Sequence, residues 1–191
     1  MTRVILFLAM LLTASCDVAP HFSSTDVSGG ALGVDFALQD QQGKQRRLSA
    51  FKGKVVIVFF GYTQCPDVCP TTLTTLKETM LLLGKDAQQV QVILITLDPE
   101  RDTQALLAEY MPSFHPSFLG LRGNLAETEA TARAFKVFYK KQPGTAPGSY
   151  SIDHSTGTYV YDLQGRLRLY VKYGETAEHI AADIKQLLDG K

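Results

Sequence analysis

The 191-residue chain carries 19 basic and 19 acidic side chains, so its formal net charge is zero. Its hydrophobic content of 45% is enough for a buried core, and its length fits one domain with a short appendage. Without a basic tract there is no electrostatic case for binding nucleic acid. No apolar run reaches the roughly 18–20 residues that a mature membrane-spanning helix needs.

The N-terminus has the pattern of a secretory signal. Arg3 precedes an apolar stretch, Val4 to Leu12, and small residues then lead to Cys16. The cysteine makes the pattern similar to a bacterial lipoprotein signal, in which cleavage leaves Cys16 as a lipid-modified N-terminus. Thr13 stands where such signals usually carry Leu, so plain secretion is the alternative.

These features predict three segments. We expect a lipoprotein signal peptide at 1–15, a lipidated flexible tether at 16–33 and a folded domain at 34–191. The protein would then lie in the bacterial cell envelope, anchored by lipid to a membrane surface. Asp17, directly after the lipidated cysteine, resembles an inner-membrane retention signal and favours the periplasmic face of that membrane.

Strands and helices alternate through the first half of the predicted domain. Runs of β-branched and apolar residues predict strands, and Gly84 is a natural end for the helix that follows the central strand. The predicted elements are a hairpin (Val34–Gln39 and Gln45–Ser49), a buried strand (Val55–Phe60), a helix to Leu83 and a second buried strand (Val90–Leu97).

The second half continues the alternation and ends in a hairpin and a helix. Gln142–Ser151, with two prolines and two glycines, is predicted to be a mobile loop. The order predicts an α/β fold with a central mixed sheet and helices on both faces. The other predicted elements are helices at Ala105–Tyr110, Leu125–Phe135 and Ala177–Leu188, and strands at Ser117–Leu121, Thr156–Leu163 and Leu167–Tyr173.

Cys65 and Cys69 lie between the first buried strand and the following helix, with Pro70 next. Proline is tolerated only in the first turn of a helix, so this helix must begin close to Cys69. The unpaired N–H groups and the dipole of a helix N-terminus favour thiolate at both sulfurs. A strand leading to a cysteine pair at a helix start is also how a thioredoxin-like fold begins.

Three interpretations of the cysteine pair remain open at this point. A structural disulfide across so small a loop would constrain the unfolded chain little. A redox dithiol is a second possibility, although two rather than three intervening residues are usual. A metal site is the third: two thiolates suit Cu(I), but a specific site needs another ligand.

A histidine is one candidate for that ligand, although a histidine at a junction between a loop and a strand is more often an ordinary surface residue. His154 follows the predicted loop, and Asp153 beside it is a candidate to orient its ring. His21 and His179 are predicted to be solvated and His115 to be a capping or packing residue. Periodicity alone does not place any of them near the cysteines.

Three sequence blocks together carry a resemblance to the Sco/SenC family. They are Gly61–Pro70, which holds both cysteines, Asp98–Thr103, and Asp153–Ser155. The resemblance implies a thioredoxin-like fold with an inserted hairpin near the C-terminus. It also implies that Cys65, Cys69 and His154 bind copper, as Cu(I) or Cu(II).

The family's members imply two functions. Most act as membrane-tethered copper chaperones for the dinuclear copper A centre in subunit II of cytochrome c oxidase, so that subunit or another cuproprotein is the expected partner. Some bacterial members have thiol–disulfide or redox-signalling roles, for which Cys65 would attack, Cys69 would resolve and a thioredoxin-like reductant would serve as partner. In either case Asp98, Arg101 and Asp102 are expected to shape their loop rather than to perform chemistry.

Overall fold

The computed structural model of the protein describes residues 21–30 and 35–191. The predicted signal peptide, Cys16 and the first part of the predicted tether lie outside the described residues. So do residues 31–34, which include the predicted start of the first hairpin. Within the described ranges, no helix has both the length and the apolar character to cross a membrane.

The described chain alternates strands with helices. The strands are β1 Thr25–Asp26, β2 Ala37–Asp40, β3 Gln45–Arg47, β4 Val55–Gly61, β5 Val90–Thr96, β6 Leu119–Arg122, β7 Tyr139–Pro143, β8 Tyr150–His154, β9 Thr158–Tyr161 and β10 Leu167–Val171. The α-helices are α1 Val68–Leu83, α2 Gln104–Tyr110, α3 Leu125–Ala134 and α4 Ala177–Leu188. Short 3-10 helices occur at Leu48–Phe51, Gly84–Gln89 and Met111–Ser113.

Eight strands form one mixed sheet in the order β1-β10-β9-β4-β5-β6-β2-β3. β4, β5 and β6 run parallel, whereas the other neighbours are antiparallel. The predicted α/β class, the mixed sheet, the hairpin β2–β3 and the hairpin β9–β10 are therefore confirmed. β7 and β8 pair only with each other, in a second, two-stranded sheet.

Strand β4 is buried on both faces, as its unbroken apolar sequence predicts. Successive side chains of a strand point to opposite faces. The odd-numbered residues from Val55 to Phe59 join a core cluster with α1, α2 and α4. The even-numbered residues from Val56 to Phe60 join a second cluster with α3. The carboxyl end of β4 is thus held rigidly between two layers of helices.

The helix boundaries follow local signals. Helix α1 ends at Leu83, and Gly84 takes a positive φ of 57°. Thr103 caps α2 by accepting a hydrogen bond from the N–H of Leu106. Asn124 caps α3.

Two stretches that were predicted to be irregular contain strands. In the predicted tether, Thr25–Asp26 pairs with β10, and the carboxylate of Asp183 on α4 accepts hydrogen bonds from the N–H groups of Ser23 and Ser24. The loop predicted at 142–151 is confirmed at residues 144–149, but its two ends belong to β7 and β8. Gly144, Pro147 and Gly148 lie in the turn between these strands, whereas Pro143 is the last residue of β7.

The carboxyl group of Asp40 fixes the turn between β2 and β3. It is fully buried, accepts hydrogen bonds from the N–H groups of Gln42 and Lys44, and pairs with Arg46 at 2.6 Å. Burial raises the pKa of this carboxyl, but Arg46 and the two N–H groups outweigh burial and hold the pKa below its usual value. Ionised Asp40 therefore stabilises the fold.

We expect Asp40→Asn to lower the free energy of unfolding at neutral pH by about 1.5–3 kcal/mol, the usual range for hydrogen bonds to charged groups. The contribution of the ionised carboxyl is present above the pKa of the unfolded chain, about 3.9, and is lost as the pH falls through the lower pKa of the folded state. Urea unfolding from pH 7 to pH 2 should show the difference between parent and variant shrinking in acid. A difference that does not change with pH contradicts the assignment.

Candidate metal centre

The two cysteines lie between the end of β4 and the first turn of α1. Cys65 is in the connecting loop and is half-buried, whereas Cys69 is in the first turn of α1 and is buried. The N–H group of Cys69 donates a hydrogen bond to the sulfur of Cys65 at 3.4 Å. Pro70 also lies in the first turn, so the prediction that α1 begins near Cys69 is confirmed. Both cysteines have free thiols.

His154 is the last residue of β8, and its ring orientation is fixed by the backbone. Its Nδ1 lies 2.8 Å from the carbonyl oxygen of Ser155. A carbonyl only accepts, so Nδ1 carries the proton and Nε2 presents a lone pair. Nε2 lies 3.7 Å from the sulfur of Cys69, and the ring of Tyr62 packs edge-on against the imidazole.

The structure brings together the three residues that the sequence singled out. The sulfurs of Cys65 and Cys69 and a ring nitrogen of His154 all lie within 4.8 Å of one another. Within residues 21–30 and 35–191, these three side chains form a group whose spacing could hold a metal ion. Two soft sulfurs and one imidazole are a donor set suited to copper.

Gly61, the last residue of β4, makes room for the sulfur of Cys69. A Cβ atom at this position would lie 2.6 Å from that sulfur, closer than real Cβ atoms come. The sulfur therefore packs directly on the backbone of the central strand, and the side chain of any other residue would displace it.

The protonation of Cys69 differs from the expectation. A helix N-terminus favours thiolate, but burial raises the pKa of the Cys69 thiol far above its ordinary value. A backbone hydrogen bond from Tyr62 opposes this effect, whereas Cys65 and Asp102 add to it. In the metal-free protein Cys69 is therefore a neutral thiol at neutral pH, and a metal ion must displace its proton to bind.

Asp102 holds the cysteine loop in place through hydrogen bonds. Its buried carboxyl group accepts hydrogen bonds from the hydroxyl of Thr63 at 2.6 Å, from the N–H of Thr63 at 3.1 Å and from the hydroxyl of Thr96 at 2.5 Å. Thr63 lies two residues before Cys65. Asp102 therefore has the structural role that was expected. Through Thr63 it holds the cysteine loop as well as its own loop.

The acidic neighbours of the ligand candidates do not contact them. Asp153 accepts a hydrogen bond from the side chain of Gln142, so the hypothesis that it orients His154 is wrong; the carbonyl of Ser155 does so. Successive residues of a strand point to opposite faces, which explains this outcome. Asp67 occupies the N-cap position of α1 without a capping hydrogen bond and instead accepts one from the hydroxyl of Thr71.

The other histidines have the ordinary surroundings that were expected. His115 lies beside Ser117, with 2.8 Å between Nδ1 and the hydroxyl, and its ring packs on Phe118. His179 forms an exposed pair with Glu175 on α4. His21 is exposed.

Comparison with known proteins identifies the family. The family model for SCO1/SenC matches residues 24–189, nearly the whole described chain. The chain belongs to the SCO1/SenC family. The sequence resemblance is therefore confirmed, and with it the thioredoxin-like fold. A SCO2-like protein of Rickettsia felis is 39% identical over 143 residues, which cover 74% of this chain and 68% of that protein.

Solved structures of SCO1/SenC proteins superpose closely on this chain. Copper-bound ScoI of Bradyrhizobium japonicum is 42% identical, with a TM-score of 0.77 and coverage of 83% of this chain and all of that one. Copper-bound yeast Sco1 is 32% identical, with a TM-score of 0.76 and coverage of 84% of this chain and 90% of that one. Copper binding is thus compatible with this fold.

The close approach at Gly61 yields a test. We expect Gly61→Ala to push the sulfur of Cys69 out of place, weakening copper binding and lowering the free energy of unfolding by about 1–3 kcal/mol, as overpacking does. Gly120→Ala on β6 is a matched control, because a Cβ there crowds Leu107 and Met111 instead. It should lose stability but bind copper normally. Copper titration and urea unfolding of both variants measure this; equal copper affinity in the two would contradict the packing argument.

Proposed function

We propose that this SCO1/SenC protein is a copper chaperone. In this proposal it binds one copper ion through Cys65, Cys69 and His154 and delivers it to the dinuclear copper A site in subunit II of cytochrome c oxidase. The observation that carries the proposal is the convergence of two sulfurs and a ring nitrogen within 4.8 Å of one another. The copper in the structures of two relatives supports it.

The donor set suits a carrier that handles both oxidation states of copper. Two thiolates are preferred ligands of Cu(I), and addition of an imidazole also accommodates Cu(II). Each thiol must lose its proton, so loading releases protons to solvent. The fixed tautomer of His154 leaves Nε2 ready to bind without a proton.

The three ligands differ in exposure, and this difference indicates the order in which they release copper. Cys65 and His154 are half-exposed, whereas Cys69 is buried against Gly61. Side chains of a partner can reach the ion only from the side of Cys65 and His154, so they replace these two ligands first. Cys69 then releases the ion last, after the partner has already bound it.

The N-terminal sequence supports a proposed place of action. In this proposal the signal at 1–15 is removed, Cys16 carries lipid and the domain works at the periplasmic face of the inner membrane. Retention at a membrane surface raises the chance of meeting an oxidase subunit in the same membrane. Mass spectrometry of the protein purified from membranes, with and without a Cys16→Ser substitution, tests the anchor.

Replacement of the imidazole tests the proposed site. Loss of side chains that merely orient a ligand already costs about 10–100-fold in metal affinity, so we expect His154→Ala to weaken Cu(II) binding by at least that factor. Loss of the imidazole should also change the visible thiolate charge-transfer band, while the two sulfurs retain much of the Cu(I) affinity. Competition titrations of the reduced protein with Cu(I) and Cu(II) provide the measurement.

His179→Ala is the matched control, since His179 is exposed on α4 and pairs only with Glu175 among the described residues. It should bind copper as the parent does. Unchanged Cu(II) affinity and an unchanged spectrum in His154→Ala would remove His154 from the site and leave copper without its third ligand.

Thiol–disulfide exchange is a second candidate function, favoured by the half-exposed position of Cys65 beside the buried Cys69. The sulfur of Cys65 would attack a partner disulfide, form a mixed disulfide and release one partner thiolate. The sulfur of Cys69, once deprotonated, would then attack Cys65, forming the Cys65–Cys69 disulfide and freeing the second partner thiolate. A thioredoxin-like reductant would restore the dithiol. Because copper loading needs the dithiol, the two functions are compatible.

The cysteine variants distinguish the two functions. If exchange occurs, Cys69→Ser should accumulate the mixed disulfide with a disulfide-bonded peptide, Cys65→Ser should be inactive and His154→Ala should reduce the peptide normally, because exchange needs no imidazole ligand. Mass spectrometry of the quenched mixtures records each species. Full reduction of the peptide by Cys65→Ser would exclude this mechanism.

A further inference from the structure

The strand that carries His154 is not part of the main sheet. β7 and β8 form a separate two-stranded sheet, and an isolated hairpin is at best marginally stable in water. The position of the His154 ring therefore depends on whatever fixes this hairpin to the rest of the molecule. Buried Ile152 supplies part of that contact, and its N–H donates a hydrogen bond to the hydroxyl of Tyr62 at 3.2 Å.

Arg101, in the loop between β5 and α2, contacts the hairpin by both stacking and hydrogen bonding. Its guanidinium lies 3.6 Å from the centre of the Tyr150 ring, and its Nη1 donates to the carbonyl oxygen of Tyr150 at 2.9 Å. Its Nε pairs with the buried carboxylate of Asp98. The hydroxyl of Tyr150 donates to the other oxygen of Asp98 at 2.8 Å. Arg101, Asp98 and Tyr150 thus form a closed ring of contacts, which we name the hairpin clamp.

Further contacts reinforce the clamp from both sides. Lys141 on β7 lies 4.5 Å from the centre of the Tyr150 ring and pairs with Glu100. On the other side, the guanidinium of Arg101 lies 5.7 Å from the ring of Tyr62, which packs against the imidazole of His154. The clamp therefore connects to the metal centre through one aromatic ring.

The same loop also holds the cysteines. The N–H groups of Arg101 and Asp102 both donate to the carbonyl oxygen of Asp98, so the loop is tightly turned. Asp102 binds Thr63 in the cysteine loop, while Arg101 binds Tyr150 in the hairpin. Residues 98–102 therefore connect the element that carries Cys65 to the element that carries His154.

We propose that Arg101 is a positioning residue for the copper site, holding the β7–β8 hairpin so that Nε2 of His154 stays within reach of the two sulfurs. This inference rests on the proposed copper-binding function. Arg101 is not one of the three candidate ligands; it acts through Tyr150 and β8. A flat guanidinium stacks face-on against an aromatic ring while its N–H groups donate in fixed directions; a lysine ammonium has no flat face to stack.

Two variants test the clamp. Arg101→Gln removes the charge and the stacking, and Tyr150→Leu removes the ring while leaving the pair between Arg101 and Asp98 in place. We expect each to weaken Cu(II) binding about 10–100-fold, as substitutions that free a metal ligand do, and to change the thiolate charge-transfer band towards that of His154→Ala. Cu(I) affinity should fall less, because both sulfurs remain.

Arg46→Gln is the matched control, because Arg46 also pairs through Nε with a buried carboxylate, that of Asp40, but in the β2–β3 turn. It should lower stability without changing copper affinity. Arg101→Lys keeps the charge but not the stacking, so it should recover only part of the lost Cu(II) affinity. Urea unfolding and circular dichroism confirm that each variant is folded, and Tyr150→Leu carries the test if Arg101→Gln does not fold.

A double-mutant cycle with His154→Ala identifies the route of the effect. If Arg101 acts through the imidazole, the double variant should bind Cu(II) no more weakly than His154→Ala alone. Full additivity, or normal Cu(II) affinity in folded Arg101→Gln or Tyr150→Leu, overturns the clamp. Normal binding in His154→Ala itself would instead refute the proposed copper site, so the two failures can be told apart.

Discussion

The contact between the imidazole of His154 and the sulfur of Cys69 joins residues 85 positions apart in the chain, at 3.7 Å. The proposed copper site depends on that distance being maintained. One partner is fixed by the core, because the sulfur packs on Gly61 at the end of a strand buried on both faces. The other partner lies on a hairpin outside the main sheet. The copper site therefore lies between two parts of the molecule. The β4–α1 segment is fixed in the core, and the β7–β8 hairpin is held in place by side-chain contacts.

The rigid half could be derived from the sequence almost completely. The apolar run Val55–Phe60, the two cysteines and Pro70 predict a buried strand, a loop and a helix start, and the structure has all three. These signals are local, since burial on both faces gives a continuous apolar run and proline restricts the helix position. The burial of Cys69 is not local, because it arises from packing against Gly61, and so the raised pKa of its thiol was missed.

The position of the β7–β8 hairpin, and with it His154, could not be derived in the same way. Prolines and glycines between Gln142 and Ser151 indicated a loop, but the pairing of β7 with β8 overrides that composition at both ends. Nothing in the periodicity placed His154 near the cysteines; only its resemblance to a family motif did. The contact of Arg101 with Tyr150 spans 49 positions and leaves no repeating pattern in the sequence.

Because the β7–β8 pair shares no strand neighbour with the eight-stranded sheet, we expect its amides to belong to a different cooperative unit from those of β4. Such a unit opens with a smaller free energy than the whole domain, so its hydrogens exchange with solvent while the core remains closed. A ligand that bridges the two units makes their opening interdependent. Copper binding should therefore slow deuterium uptake by the amides of β8, although β8 lies far along the chain from either cysteine.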